Sequence, residues 1–200
     1  MLNKPILIAG APRSGTSMCA RILHSQGVWT GDCKKPNKFN PYGFFENNTF
    51  TAMLNRHYKG EFPLQWENIF ESLEFQGWTP DQPWMFKHWK LLPTWKIWDA
   101  MFPDALWLLP YRNEGDNLRS LENMRYANPF AVFKECKERQ NEIADRCTHR
   151  FVDTDKIIGG WISELQNIIC LPQIKEPSIL RGRDCIDLVI WNRKGLVKSD

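Results

Sequence analysis

Long apolar runs are scarce in this chain. The stretch Pro5 to Ala9 near the amino terminus ends at once in a glycine turn. It is too short for the apolar region of a secretory signal and far short of a membrane-spanning helix. There is no internal repeat and no low-complexity tract. The six cysteines (Cys19, Cys33, Cys136, Cys147, Cys170 and Cys185) contain no CxxC pair and no spacing typical of metal ligands. Reduced thiols in a cytoplasmic protein are therefore expected, with no disulfide framework and no bound metal. Charge of one sign is also scarce. Lysine plus arginine number 26 against 23 acidic residues, a net charge of +3, which gives no argument for a nucleic-acid partner but leaves room for a local anion site. The 200 residues are 42% hydrophobic and 24% charged, values that argue against disorder, a fibrous repeat or a membrane bundle and for one domain spanning 1–200. Tryptophan is abundant: ten residues point to large aromatic surfaces in a core or a pocket.

Apolar runs and helical stretches alternate. Residues 5–10 read as a buried strand and 16–26 as a helix stopped by Gly27; residues 30–48, rich in Gly, Asn, Pro and Lys, read as a loop. Helices are expected over 48–59, 64–76, 93–102, 114–126, 130–145 and 154–169, and strands over 83–88, 105–111, 149–152 and 185–191. Pro110 has to lie at the end of its strand or where no ladder bond is needed. This alternation predicts an α/β fold of three layers, with a mostly parallel central sheet between helices. Such sheets bind ligands beyond the carboxyl ends of their strands, so functional motifs are expected there.

The first strand runs into Gly10-Ala-Pro-Arg-Ser-Gly15-Thr16-Ser17 and directly into a helix. Strand, glycine turn and helix start together aim backbone N–H groups and a helix dipole at an anion. The GxxxxG spacing equals that of the nucleotide-binding Walker A loop, but Thr16 stands where that loop carries its lysine, and the cation is instead Arg13 inside the turn. The segment 12–17 resembles the 5′-phosphosulfate loop of the sulfotransferases that use 3′-phosphoadenosine 5′-phosphosulfate (PAPS), in the bacterial and carbohydrate-sulfotransferase form. Arg112-Asn-Glu-Gly-Asp-Asn-Leu-Arg-Ser120, leaving the 105–111 strand, resembles that family's 3′-phosphate motif. An arginine there offers bidentate phosphate recognition. Arg193-Lys194-Gly195 is similar to the segment that closes over the 3′-phosphate.

The resemblance implies a P-loop-like fold and PAPS as donor, with no metal. It also implies an acceptor hydroxyl or amine on a small molecule or carbohydrate. Arg13, Ser14, Gly15, Thr16 and Ser17 would hold the 5′ side; Arg112, Ser120, Arg193, Lys194 and Gly195 would hold the 3′-phosphate. Arg13 would offset charge on the bridging oxygen, and Lys87 occupies the place of a lysine facing the sulfonate. Two general bases stay open. Glu46 lies in Asn40-Pro41-Tyr42-Gly43-Phe44-Phe45-Glu46, an NPxGxxE segment found in bacterial members, and is preferred. His88 is the other, displaced by one position from the family's histidine. Met18 stands where cytosolic members stack a tryptophan on adenine. The rival readings are a small-molecule P-loop kinase or NTPase and a trimmed module that binds nucleotide or a partner without turnover.

Overall fold

Three buried segments, β1 (Ile6–Ile8), β2 (Met85–Lys87) and β3 (Leu106–Tyr111), and a fourth, β4 (His149–Asp153), form a sheet in the order β2-β1-β3-β4, with every pair parallel. The computed structural model describes residues 4–37, 40–172, 174 and 178–179. The expected strand 185–191 and the Arg193-Lys194-Gly195 segment lie outside them.

Alternating side chains of the strands divide the interior. Leu7, Ala9, Phe86, Trp107 and Leu109 face α2 (Asn48–Tyr58), α3 (Trp66–Phe75), α4 (Trp95–Met101) and α6 (Pro129–Ala144). Ile6, Ile8, Met85, Leu106, Leu108 and Val152 face α1 (Thr16–Ser25), α7 (Thr154–Ile158) and α8 (Ile162–Ile169). This is the expected three-layer α/β arrangement, and both faces are apolar because helices cover both. Trp78, Trp84, Trp95, Trp98 and Trp107 are core residues, whereas Trp66, Trp89 and Trp161 are exposed.

Helix starts follow from capping chemistry. Asn47, Asn113, Asn128 and Asp153 each accept first-turn N–H groups with their side chains, at α2, α5 (Glu114–Asn123), α6 and α7. The single helix expected over 154–169 is two helices, α7 and α8. Gly159 caps α7 and Gly160 turns the chain at φ 86°, a conformation that glycine adopts without Cβ strain. The five cysteines among the described residues are free thiols, and no described helix is long and apolar enough to cross a membrane.

Candidate active site

In the order β2-β1-β3-β4, the chain leaves β1 toward one side of the sheet and returns at β3 on the other. The crevice between the carboxyl ends of β1 and β3 is thus the switch point where such sheets take ligands. Residues 10–17 follow β1 into that crevice, and Arg112 follows β3.

The loop is built for close approach. A Cβ on Gly10 would lie 2.7 Å from Ser14 Oγ and 2.8 Å from the Pro110 carbonyl, so only glycine fits between them. Gly15 sits at φ 89° against the Thr154 side chain. Gly15 is also the N-cap of α1 and brings no capping side chain, and the first helical donor is Met18, bonded to the Gly15 carbonyl. The amides before it belong to the unpaired first turn of a helix. Ser14 Oγ is buried without a partner among the described residues. An uncapped helix start, a buried hydroxyl in need of a bond and a neighbouring arginine are a donor set that fits a phosphate or sulfate group.

Arg13, itself at φ 71°, donates from Nε to Ser120 Oγ of α5 at 2.9 Å. Two candidates 107 residues apart in sequence are thereby joined. Asn117, one turn earlier on α5 and fully buried, donates to the Pro12 carbonyl at 3.3 Å. Arg112 turns the other way. Its Nε meets Asp155 at 3.1 Å and its Nη2 lies 3.7 Å from Asp116, so its charge is already partly answered. It lines a cavity of about 460 Å3 with Tyr111, Asn113, Asp153, Asp155, Lys156 and Trp161. Met18, in the first turn of α1, is buried and packs into the apolar layer on that side of the sheet.

Lys87, the last residue of β2, is buried and donates to Glu46 at 2.7 Å and to the Phe44 carbonyl at 3.1 Å. The two candidates from residues 41 apart are thus one ion pair. Burial pulls the Lys87 pKa below its ordinary value, with Glu46 opposing the shift. The adjacent His88 points to the opposite face of the strand, as alternation requires, and stacks against Phe86 and Trp89. Its Nδ1 accepts the Lys90 N–H at 3.1 Å, capping the 3-10 turn Trp89–Leu91. Burial pushes its pKa down to about 4. A neutral ring that accepts at Nδ1 carries its proton on Nε2 and has no second lone pair to act as a base.

Tyr126, just after α5, is a residue that no sequence motif marks. It is 38% exposed; burial raises its phenol pKa, Arg13 opposes that shift and Glu46 adds to it. The charges of the loop arginine and of Glu46 thus both act on its phenol. Among the described residues no group of three or more His, Cys, Asp or Glu could hold a metal ion.

No family model matches the sequence, and no curated protein matches it. Solved structures do match. A sulfotransferase domain from a Synechococcus olefin synthase superposes with a TM-score of 0.60 and 16% identity, covering 90% of this chain and 77% of that one. A sulfotransferase of Mycobacterium tuberculosis gives 0.53 at 15% identity over 94% and 71%. A sulfotransferase domain from the curacin biosynthetic pathway gives 0.54 at 15% over 90% and 78%. Three independent superpositions over at least 90% of this chain lead to one conclusion: its fold is that of the sulfotransferases.

Proposed function

We propose that the chain is a sulfotransferase that moves a sulfuryl group from PAPS to a hydroxyl or amine of a small-molecule or carbohydrate acceptor. The observation that carries this reading is the Arg13–Ser120 bond. It ties the loop after β1 to Ser120 on the helix after β3, which supports a single crevice serving both phosphate-type motifs. The donor supplies an activated sulfuryl group on a phosphate leaving group.

In this reading the N–H groups of Gly15, Thr16 and Ser17, with the Ser14 hydroxyl, bind the 5′ anion, and Arg13 offsets the charge that grows on the leaving oxygen. Ser120 and Arg112 take the 3′-phosphate. Arg112 then exchanges part of its pairing with Asp155 and Asp116 for the ligand. Lys87 presents positive charge from the end of β2, and Glu46 takes the acceptor's proton. His88, its Nδ1 held by the Lys90 amide, orders the turn that follows β2.

Calorimetric titration with adenosine 3′,5′-bisphosphate, adenosine 5′-monophosphate and Mg-ATP tests the reading. Metal-free binding of the bisphosphate, at least tenfold tighter than the monophosphate (about 1.4 kcal/mol) and weakened in Arg112→Ala, is the expected result. A preference for Mg-ATP would overturn it in favour of a P-loop kinase, and failure to bind any of the three would favour a non-catalytic module.

A further inference from the structure

The ladder between β1 and β3 contains a missing rung. The Leu106 N–H bonds to the Pro5 carbonyl and the Ala9 N–H to the Leu108 carbonyl, while the Trp107 N–H turns to the Thr148 carbonyl beside β4. Even-numbered residues of β3 therefore face β1, and the next donor due to reach β1 is the N–H of residue 110, aimed at the Ala9 carbonyl. Residue 110 is proline and has no N–H. Ala9 is fully buried, where an unpaired carbonyl is costly.

Gln140 on α6 fills the gap. Its buried amide donates to the Ala9 carbonyl at 3.1 Å and to the Pro110 carbonyl at 3.1 Å. Both acceptors are carbonyls, so the amide nitrogen has to occupy this position. Ala9 immediately precedes Gly10, the first residue of the loop. Further along, Asn117 holds the Pro12 carbonyl, and the Thr154 hydroxyl lies 3.0 Å from the Ser14 carbonyl and 2.9 Å from that of Tyr111, donating to one at a time. Three helices thus each hold a carbonyl of the loop or its entry; within the loop the Ser14 N–H bonds the Ala11 carbonyl, and the first-turn N–H groups of α1 are left for the crevice.

We propose that Gln140 is a positioning residue for the loop, its side-chain amide standing in for the strand N–H that Pro110 lacks, so that Pro110 and Gln140 form one compensated pair. The ligand part of this inference rests on the PAPS reading above; the pairing itself does not. Four proteins test it: the wild type, Gln140→Leu, Pro110→Val and the double variant. Two readouts are used, hydrogen exchange of amides 10–17 without ligand and affinity for adenosine 3′,5′-bisphosphate. Gln140→Leu should speed exchange in the loop and weaken the bisphosphate about tenfold. Pro110→Val restores a donor facing Ala9, so the double variant should recover protection and affinity relative to Gln140→Leu. Unchanged exchange in Gln140→Leu, or a double variant no better than the single, overturns the proposal. A loss of thermal stability with exchange and affinity intact would reduce Gln140 to a packing residue and overturn it as well. If Gln140→Leu aggregates, recovery of folded protein by the second substitution, read by circular dichroism, is the same rescue, and its absence is the same refutation. If the wild type binds no bisphosphate, the PAPS reading fails, while the exchange measurements still decide the pairing.

Discussion

Lys87 and Glu46 illustrate how a single contact sets what a substitution reports. Removing the carboxylate altogether leaves a buried ammonium without its partner, a change that costs about 3–5 kcal/mol in comparable pairs. Glu46→Ala would therefore confound folding with chemistry. Glu46→Gln keeps an oxygen acceptor within reach of the Lys87 Nζ, so it disturbs the buried ammonium less than alanine does, while it removes the carboxylate's charge and basicity. Under the proposed function it should lower kcat by about 100-fold or more. Affinity for adenosine 3′,5′-bisphosphate, measured by calorimetry, should stay within about threefold, because the carboxylate bonds Lys87 and not the phosphate loop. An equal loss in both quantities would remove Glu46 from the role of base. The two candidates were readable one by one, Lys87 from its place at a strand end and Glu46 from its motif. That they pair was not, because the contact spans 41 residues and leaves no local pattern. The same holds for Asn117, Gln140 and Thr154, whose bonds run from side chain to distant backbone.

Elements were legible where their chemistry is local. The loop after β1 could be read because glycine spacing, a preceding apolar run and a following helix coincide within a dozen residues. The break between α7 and α8 was not anticipated, since Ile157, Ile158, Leu165 and Ile168 keep an apolar pattern across it. Two glycines at that break and in the loop separate conformational from steric cost. Gly160 has open space around a Cβ, so Gly160→Ala should destabilise by about 1 kcal/mol through its positive φ alone, read as a shift in the urea midpoint, with nucleotide binding unchanged. A Cβ on Gly15 would lie 2.7 Å from Thr154 Cγ2 in addition to the φ strain. Gly15→Ala should cost about 2–3 kcal/mol and abolish bisphosphate binding, because the displaced amides are the proposed anion donors. Equal effects at the two glycines would mean that the loop does not depend on its contact with Thr154.

For the molecule as a whole, His88 links stability to pH. Its pKa in the folded protein is about 4 against an ordinary 6.5, so between these values the unfolded chain binds the extra proton and the folded chain does not. Stability is therefore complete above about pH 6.5 and is lost as the pH falls toward 4, by at most about 3 kcal/mol. Urea unfolding of the wild type should weaken between pH 7 and pH 5, and His88→Gln, which cannot take up a proton, should lack that part of the slope. A slope unchanged in the variant would show that other groups carry the acid sensitivity. The layered architecture followed from the order of apolar runs, a property of the entire chain rather than of any one motif. The uneven distribution of indoles in this architecture also makes the molecule its own optical probe. Trp84, Trp98 and Trp107 are sealed in the interior and emit as reporters of folding, whereas Trp161, 59% exposed, lines the cavity beside Arg112. Iodide should quench the red-shifted fraction of the fluorescence and leave the blue-shifted fraction untouched. A nucleotide entering that cavity would then be seen as lost quenching, without a label and without waiting for an acceptor to be found.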